Sequence, residues 1–327
     1  MKNFTPVQFD LNRAFLRPAT HYQPALIETL LPLAEIVAEG VLTEDAALSV
    51  MTVGDQALAF VTLQLVYHHV VQGNLEGEAW LVSFCSICNS GAVFSPVVED
   101  EVYRFSERGL YDAMVLLYDS ETGSYWDHLK GQCVYGTLVG TQLKRLSNLL
   151  HMTAKQALSA YPTIQVALSS LSPEQAEEGK EDDDWRQEVQ PEWSQRLQQT
   201  LGQEDTRLPR LDMGLGIWTE GMAGTSRYYP IRKLHEMENA VIDTFLGRLL
   251  VIYIDPETAT PGAFFTDATS LKWIGDELRL STGDAVRNAT LFSKQGDLKK
   301  TERPLQLFSR WYGFAAKFPD CSIYPKR

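Results

Sequence analysis

Cys85-Ser86-Ile87-Cys88 closes an apolar run, Trp80-Leu81-Val82-Ser83-Phe84, and Asn89-Ser90-Gly91 then leads into a second short run, Ala92-Val93-Phe94. Two thiols at this spacing can hold one metal ion, cycle between dithiol and disulfide, or pack as small hydrophobes. A closed tetrahedral zinc site needs two further ligands. The chain has a single Cys-x-x-Cys, and its other cysteines, Cys133 and Cys321, are far away in sequence. A mixed site of Cys85, Cys88 and His68, with His69 or His128 as fourth ligand, is therefore the economical arrangement. Thiolate with imidazole suits zinc, copper(I) or iron. His68 and His69 are adjacent, so on a strand only one of them can share a face with the cysteines, and on a helix they diverge by about 100°. Thiol exchange is less well served. It calls for a helix N-terminus after the first cysteine, whereas Asn89-Ser90-Gly91 reads as a turn between strands.

A second group of polar residues has a structural explanation at hand. In Asp119-Ser120-Glu121-Thr122-Gly123-Ser124-Tyr125-Trp126 the Asp-x-x-Thr spacing lets side chains bond backbone amides, and Gly123 can take positive φ, as in a hairpin cap. Asp127-His128 just beyond could form an acid/base pair, with the carboxylate fixing the tautomer of the imidazole. His21, His151 and His235 have no thiol or carboxylate pattern around them beyond Glu236 next to His235. Gly214-x-Gly216 and Gly221-x-x-Gly224 lack the flanking strand and helix of a dinucleotide site.

The elements that must position these groups belong to a globular chain. It has 327 residues, 44% hydrophobic and 10% aromatic, enough for two ordinary domains. A formal charge of −13 and a pI near 5.0 argue against a nucleic-acid or anionic-membrane surface. Four cysteines are too few for a disulfide framework. Met1 to Pro6 lacks the charged and apolar regions of a secretory signal, and no apolar stretch approaches the ~20 residues of a membrane helix. The expected setting is the cytoplasm.

Residues 1–53 read as an arm and a small helical segment, with apolar positions from Leu26 to Val37 at helical spacing and Pro32 as a kink or a new helix start. From Gly54 to 171 short apolar runs alternate with turn residues, a β-rich pattern closed by a helix at 153–161. Residues 172–206 form an acidic connector containing Glu177, Glu178, Glu181, Asp182, Asp183, Asp184 and Glu188, with Trp185 and Trp193 as apolar anchors. Such a block is solvated, or docks a basic protein partner. Residues 207–327 repeat the first unit: Asn74 to Phe84 aligns without gaps on Thr244 to Ile254, and Tyr161-Pro162 corresponds to Phe318-Pro319. In this second, degenerate unit Asp255 and Thr258 stand for Cys85 and Cys88, and Met237 for His68. The predicted fold is α+β and β-rich, two tandem copies of one unit after a small N-terminal helical segment.

Several of these stretches, in this order, resemble one family. Cys-Ser-Ile-Cys-Asn-Ser-Gly-Ala-Val-Phe, Leu117 to Trp126, Gly136-Thr137-Leu138-Val139-Gly140, Arg227-Tyr228-Tyr229-Pro230-Ile231-Arg232 and Trp311 to Asp320 are similar to the bacterial and archaeal proteins grouped as DUF3179. The resemblance implies no activity. It implies a Trp-His-Glu, here Tyr67-His68-His69, ahead of a Cys-Pro-x-Cys in which Ser86 replaces proline. The Tyr-Pro-x-Arg signature occurs here at Tyr229 to Arg232, in the second copy. The function expected from the residues is metal binding by Cys85, Cys88 and His68, with His128 in reserve. The alternatives are a non-catalytic interaction module and an enzyme acting on a small molecule between the copies.

Overall fold

The apolar run after Ala46 folds as a hairpin in which β1 (Ala47–Val53) turns at Gly54 and Asp55 into β2 (Gln56–Val61), paired from Leu48 with Val61 to Val53 with Gln56. A boundary at residue 53 therefore cuts through a hairpin. The protein is described here from a computed structural model, which covers residues 9–20, 22–169, 197–220 and 225–325. His21, most of the acidic connector with Trp185 and Trp193, and both glycines of Gly221-x-x-Gly224 lie outside the described residues.

Helix α1 (Thr62–His68) follows β2 directly and buries Leu65, Val66, Tyr67 and His68. It ends where His69 takes a left-handed φ of 56° and its amide bonds the carbonyl of Leu65. An antiparallel meander comes next: β3 (Val70–Leu75), β4 (Glu78–Cys85) and β5 (Ser90–Phe94), with Cys85 opposite Ser90. From Trp80 onward β4 is buried on both faces, which explains its continuous apolar sequence. A second antiparallel group, β6 (Phe105–Tyr111), β7 (Met114–Asp119) and β8 (Tyr125–Asp127), packs beside it. Then β9 (Leu150–Thr153) pairs with β1, helix α2 (Ala154–Ala160) starts at a Thr153/Gln156 capping box, and β10 (Gln165–Ala167) runs parallel to β2.

The C-terminal half has the same order of elements. Hairpin β11 (Met213–Trp218) and β12 (Ser226–Pro230) leads to α3 (Ile231–Glu236) and the meander β13 (Ala240–Phe245), β14 (Arg248–Ile254) and β15 (Pro261–Phe265). After a four-stranded meander over 271–292, β16 (Leu305–Arg310) pairs with β11, α4 (Trp311–Lys317) follows, and β17 (Ser322–Ile323) runs parallel to β12. Individual bonds recur as well. Ala154 N donates to Ala46 O and Lys155 N to Glu44 O, as Trp311 N does to Asp212 O and Tyr312 N to Arg210 O. Phe84 N donates to His69 O as Ile254 N does to Asn239 O, which sets Glu238, not Met237, opposite His68.

The halves share a core. Val70, Leu81, Phe94, Met114 and Trp126 from the first pack with Trp218, Tyr228, Trp311 and Phe314 from the second. Asn148 clasps the junction, donating to Pro304 O and accepting from Gln306 N. Near the N-terminus the part of the helical pattern before Pro32 folds instead as strands Ala25–Ile27 and Leu30–Pro32, and a short helix, Leu33–Ala38, starts after Pro32, the second of the two readings of that proline. Pro32 is the N-cap of that helix, because a residue with no N–H and φ near −61° suits the position before the first turn. Among the described residues no helix is long and apolar enough to cross a membrane.

Candidate metal centre

Strand β4 ends at Cys85, and the turn through Ser86, Ile87, Cys88 and Asn89 reverses the chain into β5, with Asn89 at φ 52°. The turn brings both thiols to one side. His128 arrives from another sheet, one residue beyond the end of β8. Its backbone is held by a turn in which Asp127 Oδ1 accepts from the amides of Leu129 and Lys130, and by Ser83 Oγ, which donates to His128 O. One ligand atom from each of Cys85, Cys88 and His128 lies within 4.8 Å of the other two. The exposures are 0%, 0% and 1%, so bulk solvent does not reach the group.

The centre is closed by the other half of the chain. Arg310 N donates to Cys88 O at 2.9 Å, and Asn89 Nδ2 to Phe308 O at 3.2 Å, tying the cysteine turn to β16. Gly313 in α4 lies against Cys88: a Cβ added there would be 2.9 Å from Cys88 Cβ and 3.6 Å from both Cys88 Sγ and Met114 Sδ. The Tyr312 hydroxyl donates to Ala113 O at 3.2 Å, locking α4 onto the start of β7. Farther along α4, buried Lys317 bridges Asp127 at 2.6 Å and Asp112 at 2.9 Å, which anchors the turn that carries His128.

The electrostatics prepare the group unequally. Burial works against the Cys85 thiolate, but hydrogen bonds from Cys88 and from the amides of Cys88, Val115 and Ile87 outweigh it and hold Cys85 below the usual thiol value. Cys88 is pushed well above that value by burial and by Cys85 beside it, with Ser90 and Arg310 pulling the other way. The pair thus holds one proton more firmly than the other. Ser90 Oγ lies 2.6 Å from Cys88 Sγ and 3.5 Å from His128 Nε2. His128 Nδ1 is buried with no hydrogen-bond partner among the described residues. Burial, aided by the charges of Lys317 and Arg145 against the opposing pull of Asp127, takes His128 down to about 3, so it is a neutral imidazole at neutral pH.

Of the residues singled out by spacing, Cys85 and Cys88 converge as expected, and it is His128 that joins them. His68 lies elsewhere: its Nδ1 is 2.6 Å from Gln23 O and its Nε2 2.9 Å from Ser169 Oγ. The cause is α1, whose helical geometry turns His68 toward residues 23 and 169. His69 Nδ1 is 3.1 Å from Phe84 O, and its ring meets Tyr22 edge-on. Cys133 bonds Tyr135 O and Cys321 lies beside Arg207, so neither completes a four-thiolate site. Asp119 caps its hairpin as the spacing predicts, accepting from Thr122 N at 2.6 Å and Trp126 Nε1 at 2.7 Å. Asp127 bonds Lys317 and two amides and makes no hydrogen bond to the ring of its neighbour His128, which removes the expected acid/base pair.

Met114, Arg310, Gly313 and Lys317 carry no local motif, and sequence reasoning passed over them. The one signal available was the correspondence of Tyr161-Pro162 with Phe318-Pro319, which sets the ends of α2 and α4 side by side in the sequence. Gln156 of α2 reaches the turn at 255–260, donating to Asp255 Oδ2 at 3.3 Å, Thr258 Oγ1 at 2.8 Å and Thr260 Oγ1 at 3.0 Å. Each half thus sends a helix against the turn of the other.

Comparison with curated proteins and with solved structures finds no match. A family model described as a protein of unknown function, DUF3179, covers residues 30–320, a span that takes in both halves and every residue of the buried thiol and imidazole group; the chain belongs to the DUF3179 family.

Proposed function

We propose that the protein binds a transition-metal ion through Cys85, Cys88 and His128. The observation that carries this reading is the convergence of two thiols and a neutral imidazole within 4.8 Å in a site closed to bulk solvent. Two thiolates and one imidazole are donors for zinc, copper or iron. The unpartnered Nδ1 of His128 supports it, because an unsatisfied buried polar atom costs about 1–3 kcal/mol and occupation of the site would offset that cost. Binding takes up the thiolates and releases the proton that burial holds on Cys88, so affinity rises with pH.

The chain is read here as two tandem copies of one unit, in keeping with the repeated order of elements and the matching bonds of Ala154 and Trp311. In that reading the second copy has replaced the thiols by Asp255 and Thr258, and the Gln156 amide fills the space between them. The first copy keeps the site and the second closes it.

Cobalt(II) titration of metal-free protein tests the site. The expected result is thiolate-to-metal charge-transfer absorption that saturates at one equivalent and is absent from a Cys85→Ser, Cys88→Ser variant. Featureless spectra from the wild type would count against thiolate ligation.

A further inference from the structure

We propose that the cleft between the two halves binds a small organic monoanion, a carboxylate on an apolar body, with Arg303 as its charge partner. The cleft measures about 830 Å³, a size that suits a small molecule. The hairpin of β1 and β2, the residues beside Asn148 and those that follow α2 line it from the first half. The second half contributes residues 289–291 and the segment 298–305. None of Cys85, Cys88 and His128 lines it, so the cleft is separate from the metal centre.

Its floor is apolar. Val50, Leu150 and Ile164 of the first half and Leu291 and Leu305 of the second are among its lining residues, with Val50, Ile164 and Leu291 buried. Apolar surface that lines a cleft instead of packing on other side chains is covered most favourably by an apolar ligand.

Charge sets the other half of the ligand. The chain carries a net charge of −13, yet the charged residues lining the cleft are Lys299, Lys300, Arg303 and Asp55, three cations to one carboxylate. Two of the cations are already matched. Lys300 pairs with Asp55 at 2.9 Å and Lys299 with Asp284 at 2.7 Å. Arg303 has partners, but they are neutral: its Nη1 donates to Ala263 O at 3.1 Å and its guanidinium bonds the Tyr253 phenol. Asp255, which also acts on Tyr253, is held by Gln156 Nε2 and by the amides of Glu257 and Thr258, and among the described residues Arg303 forms no ion pair. A guanidinium has more N–H donors than these two acceptors use, and its planar fork fits a carboxylate. One unmatched positive charge calls for one negative charge; a dianion would have to break the lysine pairs as well. The Lys300 and Asp55 side chains are almost fully exposed, so their bond is weak and does not bar entry.

The test is equilibrium dialysis of the full chain against radiolabelled octanoate and, as its neutral counterpart, radiolabelled octanol. Wild type is compared with Arg303→Met, which removes the charge, and Thr52→Trp. Thr52 lines the cleft on the same face of β1 as Val50, so an indole there fills it. Urea unfolding confirms that each variant folds. The expected result is one octanoate bound per wild-type chain and octanol bound about tenfold more weakly. Arg303→Met should bring octanoate down to the level of octanol, and Thr52→Trp should lose both. Metal content should be equal in all three proteins, so a failure here leaves the thiol and imidazole site standing. No saturable octanoate binding by wild type, octanol bound as tightly as octanoate, or wild-type octanoate affinity in either folded variant would overturn the proposal.

Discussion

Gly313 and Cys88 touch across the two halves of the chain: a methyl group on Gly313 would lie 2.9 Å from Cys88 Cβ, closer than side-chain carbons approach. Glycine inside a helix costs about 1 kcal/mol relative to alanine, so its presence in α4 needs a compensating reason, and the contact supplies one. Gly313→Ala gains that propensity but pays about 1–3 kcal/mol in overpacking. The expected net effect is a lower urea midpoint and a disturbed cysteine turn. A variant that is more stable and binds metal unchanged would show that the contact is slack.

Gln156 gives the complementary test. Its amide bonds Asp255, Thr258 and Thr260 across the interface between halves, and its Oε1 accepts from Thr153 N. Gln156→Ala strands these buried partners and should destabilise the fold by about 1–3 kcal/mol. Metal content should stay at the wild-type value. A fall in metal content at full stability would mean that the second turn takes part in binding.

His68 separates the structural account from the spacing argument. Bonded to Gln23 O and Ser169 Oγ, it fastens α1 to two chain segments and contributes nothing to the thiols. His68→Ala is expected to lower the melting temperature while metal stoichiometry is preserved. Loss of the ion in a folded His68→Ala protein would restore His68 as a ligand.

Lys317 carries the strongest pH dependence. Burial pushes Asp127 up, but the attraction and hydrogen bond of Lys317 more than offset this and hold the carboxyl well below its ordinary 3.8. A carboxyl depressed in the folded state contributes its full stability above that ordinary value and loses it as pH falls toward the folded value. Lys317 is itself raised: burial opposes its charge, but Asp127 and Asp112 outweigh it, so its contribution is complete below 10.5 and is lost only in strong alkali. Lys317→Met leaves two buried carboxylates without their shared cation, at a cost of about 3–5 kcal/mol near neutral pH. The deficit should shrink below pH 3.8, where the Asp127 carboxyl can protonate. Chemical denaturation at pH 7 and pH 3 measures both quantities, and a deficit that does not change with pH would contradict the assignment.

Much of the frame was legible in the sequence because it is local. The turn at Asn89, the Asp119 hairpin cap and the helix closed by Pro162 each depend on residues a few positions apart. The Cys-x-x-Cys was legible for the same reason. The third ligand was not, since His128 reaches the thiols only through packing of the β6–β8 group on the meander that carries Cys85. The segment at 62–68 left strand and helix open, and it winds into a helix that turns His68 away. Gly313 is an ordinary residue whose importance lies in the close contact with Cys88 that it allows, and no local pattern encodes that.

The most direct test of the central claim is elemental analysis of protein purified without a metal-affinity tag, run beside Cys85→Ser/Cys88→Ser and His128→Ala variants whose folding is checked by circular dichroism. Close to one transition-metal ion per wild-type chain, falling to near zero in the cysteine variant and sharply in His128→Ala, is the predicted result. A wild type free of metal that also fails to take up copper(I) or zinc(II), or cysteine variants that keep the ion, would contradict it.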